Sequence, residues 1–264
     1  MSTPQASLLR RLLPLASAAI LAIASAPSQA QQLIAPNAPI AGLSQSFLAA
    51  QMAQWVLSYP AATNPLLDTT GARAAAGDQG SYFFLNGSFD ATPVVRNVTV
   101  RTDQTLVINL VSLIDWMGLG LVTEAAIREE AANVMGVNPA LSLTVDGAPA
   151  LLPAGFTALT QFHQLSPLFP LTFIQGNVFG WPASVVPAVV DSYMVGLEAL
   201  PQGTHQLHFT ATTQGIGPFV GSSFSQDITY NISAVPEAST WASLSLGLAV
   251  IGVAALRRRR GSDY

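Results

Sequence analysis

The chain has 264 residues, half of them apolar and only 9% charged, with a formal net charge of −4. It contains no cysteine, which excludes disulfides, thiolate nucleophiles and cysteine-based metal sites. Every basic residue is arginine, and between Gln31 and Glu237 four arginines face thirteen acids, a net charge near −9 that argues against nucleic acid and anionic lipid surfaces as partners.

Residues 1–30 read as a secretory signal. Arg10 and Arg11 form a basic start, an apolar run covers 12–24, and Ser28-Gln29-Ala30 supplies a small-x-small site with cleavage after Ala30. The partners this requires are Sec-type export machinery and signal peptidase. Residues 31–42, rich in Pro and Ala, read as a linker. Ser44 then stands as N-cap to a helix in which Leu48, Met52, Trp55, Val56 and Tyr59 share one face, and Pro60 ends it. Turn chemistry fills the chain to Gly80, at Asn64-Pro65, Asp68, Gly71 and Gln79-Gly80. Asn64, Asp68 and Gln79 are the candidates for a polar site there, either binding a sugar or fixing the helix to its scaffold. Asn and Asp in such loops commonly bond their own backbone.

Strand patterns follow at 82–85, at 96–101, where Val98 and Val100 alternate with Asn97, Thr99 and Arg101, and at 105–113, apolar nearly throughout. Residues 123–135 predict a helix with Glu124 four residues before Arg128, an insertion with a solvated charged face. Alternation resumes at 140–146 and ends on the hairpin signal Asp146-Gly147. Further strands are predicted at 156–162, 191–200, 204–213 and 224–233. The expected fold is mainly β, a single Ig-like or jelly-roll-like β-sandwich over 43–234 with one or two accessory helices.

Catalytic patterns are absent from the sequence. No Gly-x-Ser-x-Gly occurs, and the histidines are His163, His205 and His208, the last two at an odd separation that puts them on opposite strand faces. No calcium-loop spacing appears, and Glu129 and Glu130 diverge on their helix. The expectation is therefore no catalytic residues, no metal and no cofactor. Two alternatives stay open. One is a secreted hydrolase for polysaccharide or ester, its acids distant in sequence. The other is a lectin-like module displaying Trp181, Phe179 and Phe169.

The end of the chain carries Val235-Pro236-Glu237, then sixteen apolar residues from Trp241 to Leu256, then Arg257, Arg258, Arg259 and Arg260. As a helix the apolar segment would span about 24 Å, with Trp241 at one interface and the arginines as a cytoplasmic stop. Residues 235–260 resemble a PEP-CTERM sorting tail. Val235, Pro236 and Glu237 match its core, and Ala238 stands where a second proline is usual. The resemblance implies processing by an exosortase. It also implies transient anchoring by a transmembrane helix in the inner membrane of a Gram-negative bacterium, then residence in the cell envelope or an exopolysaccharide matrix. The middle region is similar to an uncharacterised family of secreted bacterial proteins. Trp55, the 64–80 loop, the run from Phe83 to Gly87 and the turn from Gly203 to His205 carry that likeness. It brings no activity with it.

Overall fold

The computed structural model describes residues 31–89 and 92–237. Ala30, the apolar segment 241–256 and Arg257 to Arg260 lie outside the described residues. The elements in chain order are β1 (Leu33–Ile34), α1 (Gln45–Leu57), β2 (Tyr82–Leu85), β3 (Val94–Arg101), β4 (Thr105–Trp116) and α2 (Glu124–Met135). They continue as β5 (Ala140–Val145), β6 (Ala148–Pro149), β7 (His163–Leu165), β8 (Phe169–Phe173), β9 (Ser184–Leu197), β10 (Gly203–Gln214) and β11 (Ser223–Val235). Among the described residues the fold is mainly β, with two sheets and two α-helices. Among the described residues no helix is long and apolar enough to cross a membrane.

Strand parity builds the core. In β3 the buried positions are Val94, Arg96, Val98 and Val100, while β10 buries Leu207, Phe209 and Ala211 and β11 buries Ile228, Tyr230 and Ile232. All of these except Arg96 meet Phe83, Leu85, Leu106, Ile108, Val195 and Leu197 of the other sheet in one apolar cluster. Each such side chain contributes about 1.5–3 kcal/mol on burial. The outer face of the first sheet is covered by α1, whose Leu48, Met52 and Ala53 pack on Val107, Val190 and Met194. Ser44 caps that helix as predicted, its Oγ accepting from the Phe47 N–H at 3.2 Å.

The second sheet runs β3-β11-β10-β5-β6 and the first β1-β9-β4-β2, with β8 and β7 also on β9. On one edge β9 meets β4; on the other it meets β8, β7 and β1 in turn. The edge of β4 away from β9 is treated differently. Strand β2 covers it only from Thr105 to Ile108, and then Asn86-Gly87 carries the chain away. From Asn109 to Trp116 that edge has no strand partner among the described residues.

Both ends of the described chain sit at one end of the sheets. Leu33 pairs with Leu197, which pairs with Leu106 at the start of β4. Val235 pairs with Arg101 at the end of β3, and its carbonyl accepts the Thr102 N–H at 2.9 Å. At the opposite end α2 packs on β4 and β9, its Thr123 cap accepting from the Ala126 N–H at 3.2 Å.

Two readings change. Residues 31–42 are not a free lead-in: Leu33 and Ile40 are buried, and β1 joins the sheet directly after Gln32. The strand expected at 156–162 is a loop and a 3-10 turn over Leu159–Phe162. Phe156, Leu159 and Phe162 recur every third residue and so face one way on a turn, and Gln161 Oε1 holds it by accepting from the Thr157 and Ala158 N–H groups at 2.6 and 3.0 Å.

Candidate functional site

The polar loop resolves into a structural hub. Asn64 is buried, its Nδ2 donating to the Val56 carbonyl at 2.9 Å and its Oδ1 accepting from the Leu66 N–H at 2.9 Å. Asp68 Oδ1 accepts from the Thr70 and Gly71 N–H groups, both at 3.0 Å, and Oδ2 from the Arg73 N–H at 2.8 Å. Burial pushes the Asp68 carboxyl up, but these bonds outweigh it and hold it below its ordinary value. Gln79 Nε2 reaches the Ala76 carbonyl at 3.4 Å. The polar atoms of Asn64 and Asp68 are thus committed to the backbone around them.

Behind that loop lies Arg96, only 1% exposed. Nε donates to the Asp68 carbonyl at 2.9 Å. Nη1 donates to the Asn86 carbonyl at 2.8 Å and to the Tyr230 hydroxyl at 2.7 Å. Nη2 reaches the Pro65 and Gly87 carbonyls at 3.4 and 3.1 Å. A guanidinium has five N–H donors, and all five are used. Tyr230 passes its own proton to the Asn86 carbonyl at 2.8 Å, and burial pushes its phenol up.

The three histidines do not converge. His163 Nε2 lies 2.6 Å from Asp191 Oδ1 and its ring stacks on Tyr193 at 4.8 Å. The bond to Asp191 raises the imidazole above its ordinary value. His205 meets Asp146 at 2.8 Å and the Pro201 carbonyl at 2.9 Å, and His208 meets Asp227 at 2.8 Å. A Ser or Thr hydroxyl takes part in none of these contacts. No group of three metal-ligating side chains occurs among the described residues.

The feature absent from the sequence reading is a cavity of about 430 Å³ along the uncovered edge of β4. Met52 and Val56 of α1 wall one side, Glu130 and Val134 of α2 another, and Phe224 and Gln226 of β11 close it toward the second sheet. Gln226 braces the floor by donating from Nε2 to the Leu110 carbonyl and accepting from the Ser88 N–H at 3.0 Å. At the mouth stand Phe89, Phe179 and Leu119, the last 92% exposed. Trp116 meets Phe179, Phe173 and Trp181 at 5.0–5.4 Å in tilted and edge-on contacts. These aromatics form a knot at the mouth rather than a row along one face, and Phe169 packs both beneath α1 and on the cluster that holds Phe173.

The lining is mostly apolar, yet it contains three buried polar atoms with no partner: Asn109 Oδ1, Asp115 Oδ2 and Ser192 Oγ. Burial, with Glu130 adding to it against the Trp116 N–H bond, pushes Asp115 up to about 6 from an ordinary 3.8. Comparison with protein families, with curated proteins and with solved structures finds no match.

The raised Asp115 has a measurable consequence. Its folded-state value lies above its unfolded one, so the native state is the better proton binder between about pH 4 and 6, and stability falls across that window as pH rises. A rise from 3.8 to about 6 sets a ceiling of about 3 kcal/mol, which solvent access reduces to about 1. Asp115→Asn is expected to match wild type in urea unfolding at pH 4 and to exceed it by about 1 kcal/mol at pH 7.5. Equal differences at both pH values would contradict the assignment.

Proposed function

We propose that this chain is an exported cell-envelope or matrix protein, sorted by an exosortase-type system through its PEP-CTERM-like tail, whose domain acts without catalysis. The observation that carries the reading is where the tail leaves the fold. Val235 is the last residue of β11 and is exposed, as are Pro236 and Glu237 after it, so the motif emerges directly from a sheet end, accessible to a processing enzyme. The cavity opens at the other end, about 30 Å along β11 at roughly 3.3 Å per residue. A domain tethered by that tail would hold the cavity away from the membrane.

The architecture behind this reading is a single β-sandwich of the Ig-like or jelly-roll-like kind, supported by the core shared between the two sheets. The parallel pairs β2–β4 and β3–β11 are features that neither pattern requires. The outward face of the second sheet supports matrix contact. It is polar, with Gln206, Asn231 and Asn97 bonded in a row across three strands and Ser142 on Thr210 at 2.7 Å. Such a face offers hydroxyl and amide groups to an exopolysaccharide.

One observation favours a hydrolase instead: the cavity gathers two carboxylates, Asp115 raised and Glu130 beside it. That is the division of labour a general acid and base need. The mostly apolar lining favours binding, because the hydroxyls of a sugar would find few polar partners there. Turnover of a polysaccharide or ester that Asp115→Asn and Glu130→Gln both abolish would establish the hydrolase.

The test of sorting is the intact mass of the native protein from wild-type and exosortase-deletion cells. Loss of residues 1–30 and of the chain beyond about Glu237 in the wild type, with the tail retained in the deletion strain, is the expected result. An identical uncut tail in both would reduce the segment to a plain anchor.

A further inference from the structure

We propose that the part of the cavity between α1 and the uncovered edge of β4 binds a small, uncharged, apolar alcohol. Such binding is independent of how the chain is sorted. Strand parity decides which lining residues a guest meets there. In the register of β4 with β9, Asn109, Ser112 and Ile114 share the α1 face with Ser192 and Met194, while Leu113 and Asp115 point the other way, toward α2.

Charge follows from that division. The charged lining groups are Asp115, which faces α2, and Glu130, which lies on it, so the α1 side has neither. Met52, Ala53 and Val56 form the helix wall there, above a floor that includes Asn109, Ser112 and Ser192. An ion entering would shed its water and meet no counter-charge, which excludes amines and carboxylates as guests. The whole cavity, about 430 Å³ and mostly apolar, has the size and character of a small-molecule pocket. The exposed rings of Phe89 and Phe179 at its mouth give an apolar body a way in.

The polar floor is incompletely bonded. Ser112 and Ser192 are cross-strand partners, so their Cβ atoms stand about 5 Å apart on one face. Asn109 Nδ2 donates to Ser112 Oγ at 2.8 Å, which brings the amide to the same pair. Left over are Asn109 Oδ1 and Ser192 Oγ, both buried and without a partner, the second on a residue only 1% exposed. Buried polar atoms in a native fold ordinarily have partners, so two unmet ones on one wall of a cavity point to a guest that supplies them. Asn109 Oδ1 can only accept, whereas the Ser192 hydroxyl donates as well as accepts. A guest hydroxyl answers both: it gives its proton to Asn109 and takes one from Ser192. An ether or ketone only accepts, and leaves Asn109 unmet.

The experiment uses the full chain in nanodiscs, titrated with n-octanol, heptyl methyl ether, n-octylamine and octanoate. Binding is read by Trp fluorescence, since Trp116 lines the cavity, and by calorimetry, with empty nanodiscs subtracted. Saturable 1:1 binding of octanol is expected. The ether, of similar length but without a donor, should bind about tenfold more weakly, and the two ions more weakly still. Asn109→Leu should weaken octanol about tenfold and leave the ether within about twofold. Ser192→Ala, which removes a single oxygen, should weaken both. Ser225→Ala, on the outer face of the second sheet beside Thr212, should change nothing. No saturable octanol binding would overturn the proposal. So would an ether, amine or carboxylate that binds as tightly as octanol, or a loss in Ser192→Ala no larger than in Ser225→Ala.

Discussion

Arg96→Met is expected to remove most of the stability of the domain. The substitution strips the donors from the Pro65, Asp68, Asn86 and Gly87 carbonyls and from the Tyr230 hydroxyl at once. Methionine fills much of the volume but donates nothing. The Asp68 carbonyl is left without a donor, whereas the Asn86, Gly87 and Pro65 carbonyls keep the Tyr230 hydroxyl, Asn86 Nδ2 and the Asp68 N–H. Five lost bonds to a guanidinium at about 1 kcal/mol each still put the loss at about 4 kcal/mol, close to the whole margin of a marginal domain. Arg96→Lys keeps the charge but has three donors on a point rather than five in a plane, so it should recover only part. Arg101→Met is the control. That residue pairs with Asp78 and Asp103 at the surface, at 3.5 and 3.0 Å, and its loss should cost under about 1 kcal/mol. Urea unfolding of the three variants checks this, and a cost at Arg96 no larger than at Arg101 would refute the hub.

Arg96 also shows how far a sequence can be read. Val98 and Val100 alternate with polar residues, and carrying that parity two positions back places Arg96 among the inward side chains with Val94. The signal was present, but the habit of placing arginine outside hides it, because burial of a cation is costly unless every donor is met. The donors here are met by the Pro65 and Asp68 carbonyls of the loop before β2, the Asn86 and Gly87 carbonyls after it and the Tyr230 hydroxyl of β11, a set that no local pattern reveals. Strands β3, β5, β10 and β11 and the cap at Ser44 are legible because each rests on period two or on a single side chain near its own backbone. β7 and β8 are not, since three to five residues carry too little alternation and owe their state to the edge of β9.

The cavity was illegible for a different reason. It results from where β2 stops: the chain turns away after Leu85, and the side chains that then face the gap come from α1, β4, α2, β9 and β11. Asp115 is one acid among thirteen until those walls are assembled. Asn64 and Asp68, by contrast, were legible as turn chemistry, because their partners lie within a few residues along the chain or on the adjacent helix.

Gly136→Ala should be the second severe lesion, and it bears on the wall of the cavity. Gly136 ends α2 at φ 71° and ψ −164°, a region open essentially to glycine alone. A Cβ there would also lie 1.8 Å from the Gln214 carbonyl oxygen, a backbone atom of β10 that cannot step aside without moving the strand. Next to it the Ile216 N–H donates to the Asn133 carbonyl at 2.8 Å, so the whole end of α2 is tied to the end of β10. Strain and clash together should cost about 3 kcal/mol or more, a fall in Tm of about 10 °C for a domain of this size. Gly147→Ala separates the two causes. Its φ is 77°, but nothing lies within 4 Å of the added methyl, so it should cost only about 1 kcal/mol. The difference between the variants measures how rigidly α2 is held. If it is large, and hydrogen exchange in α2 rises in Gly136→Ala alone, then the wall carrying Glu130 and Val134 is fixed by this one contact. If the two glycines cost the same, α2 can shift on the sheets without resistance, and the cavity has no fixed shape with which to select a ligand.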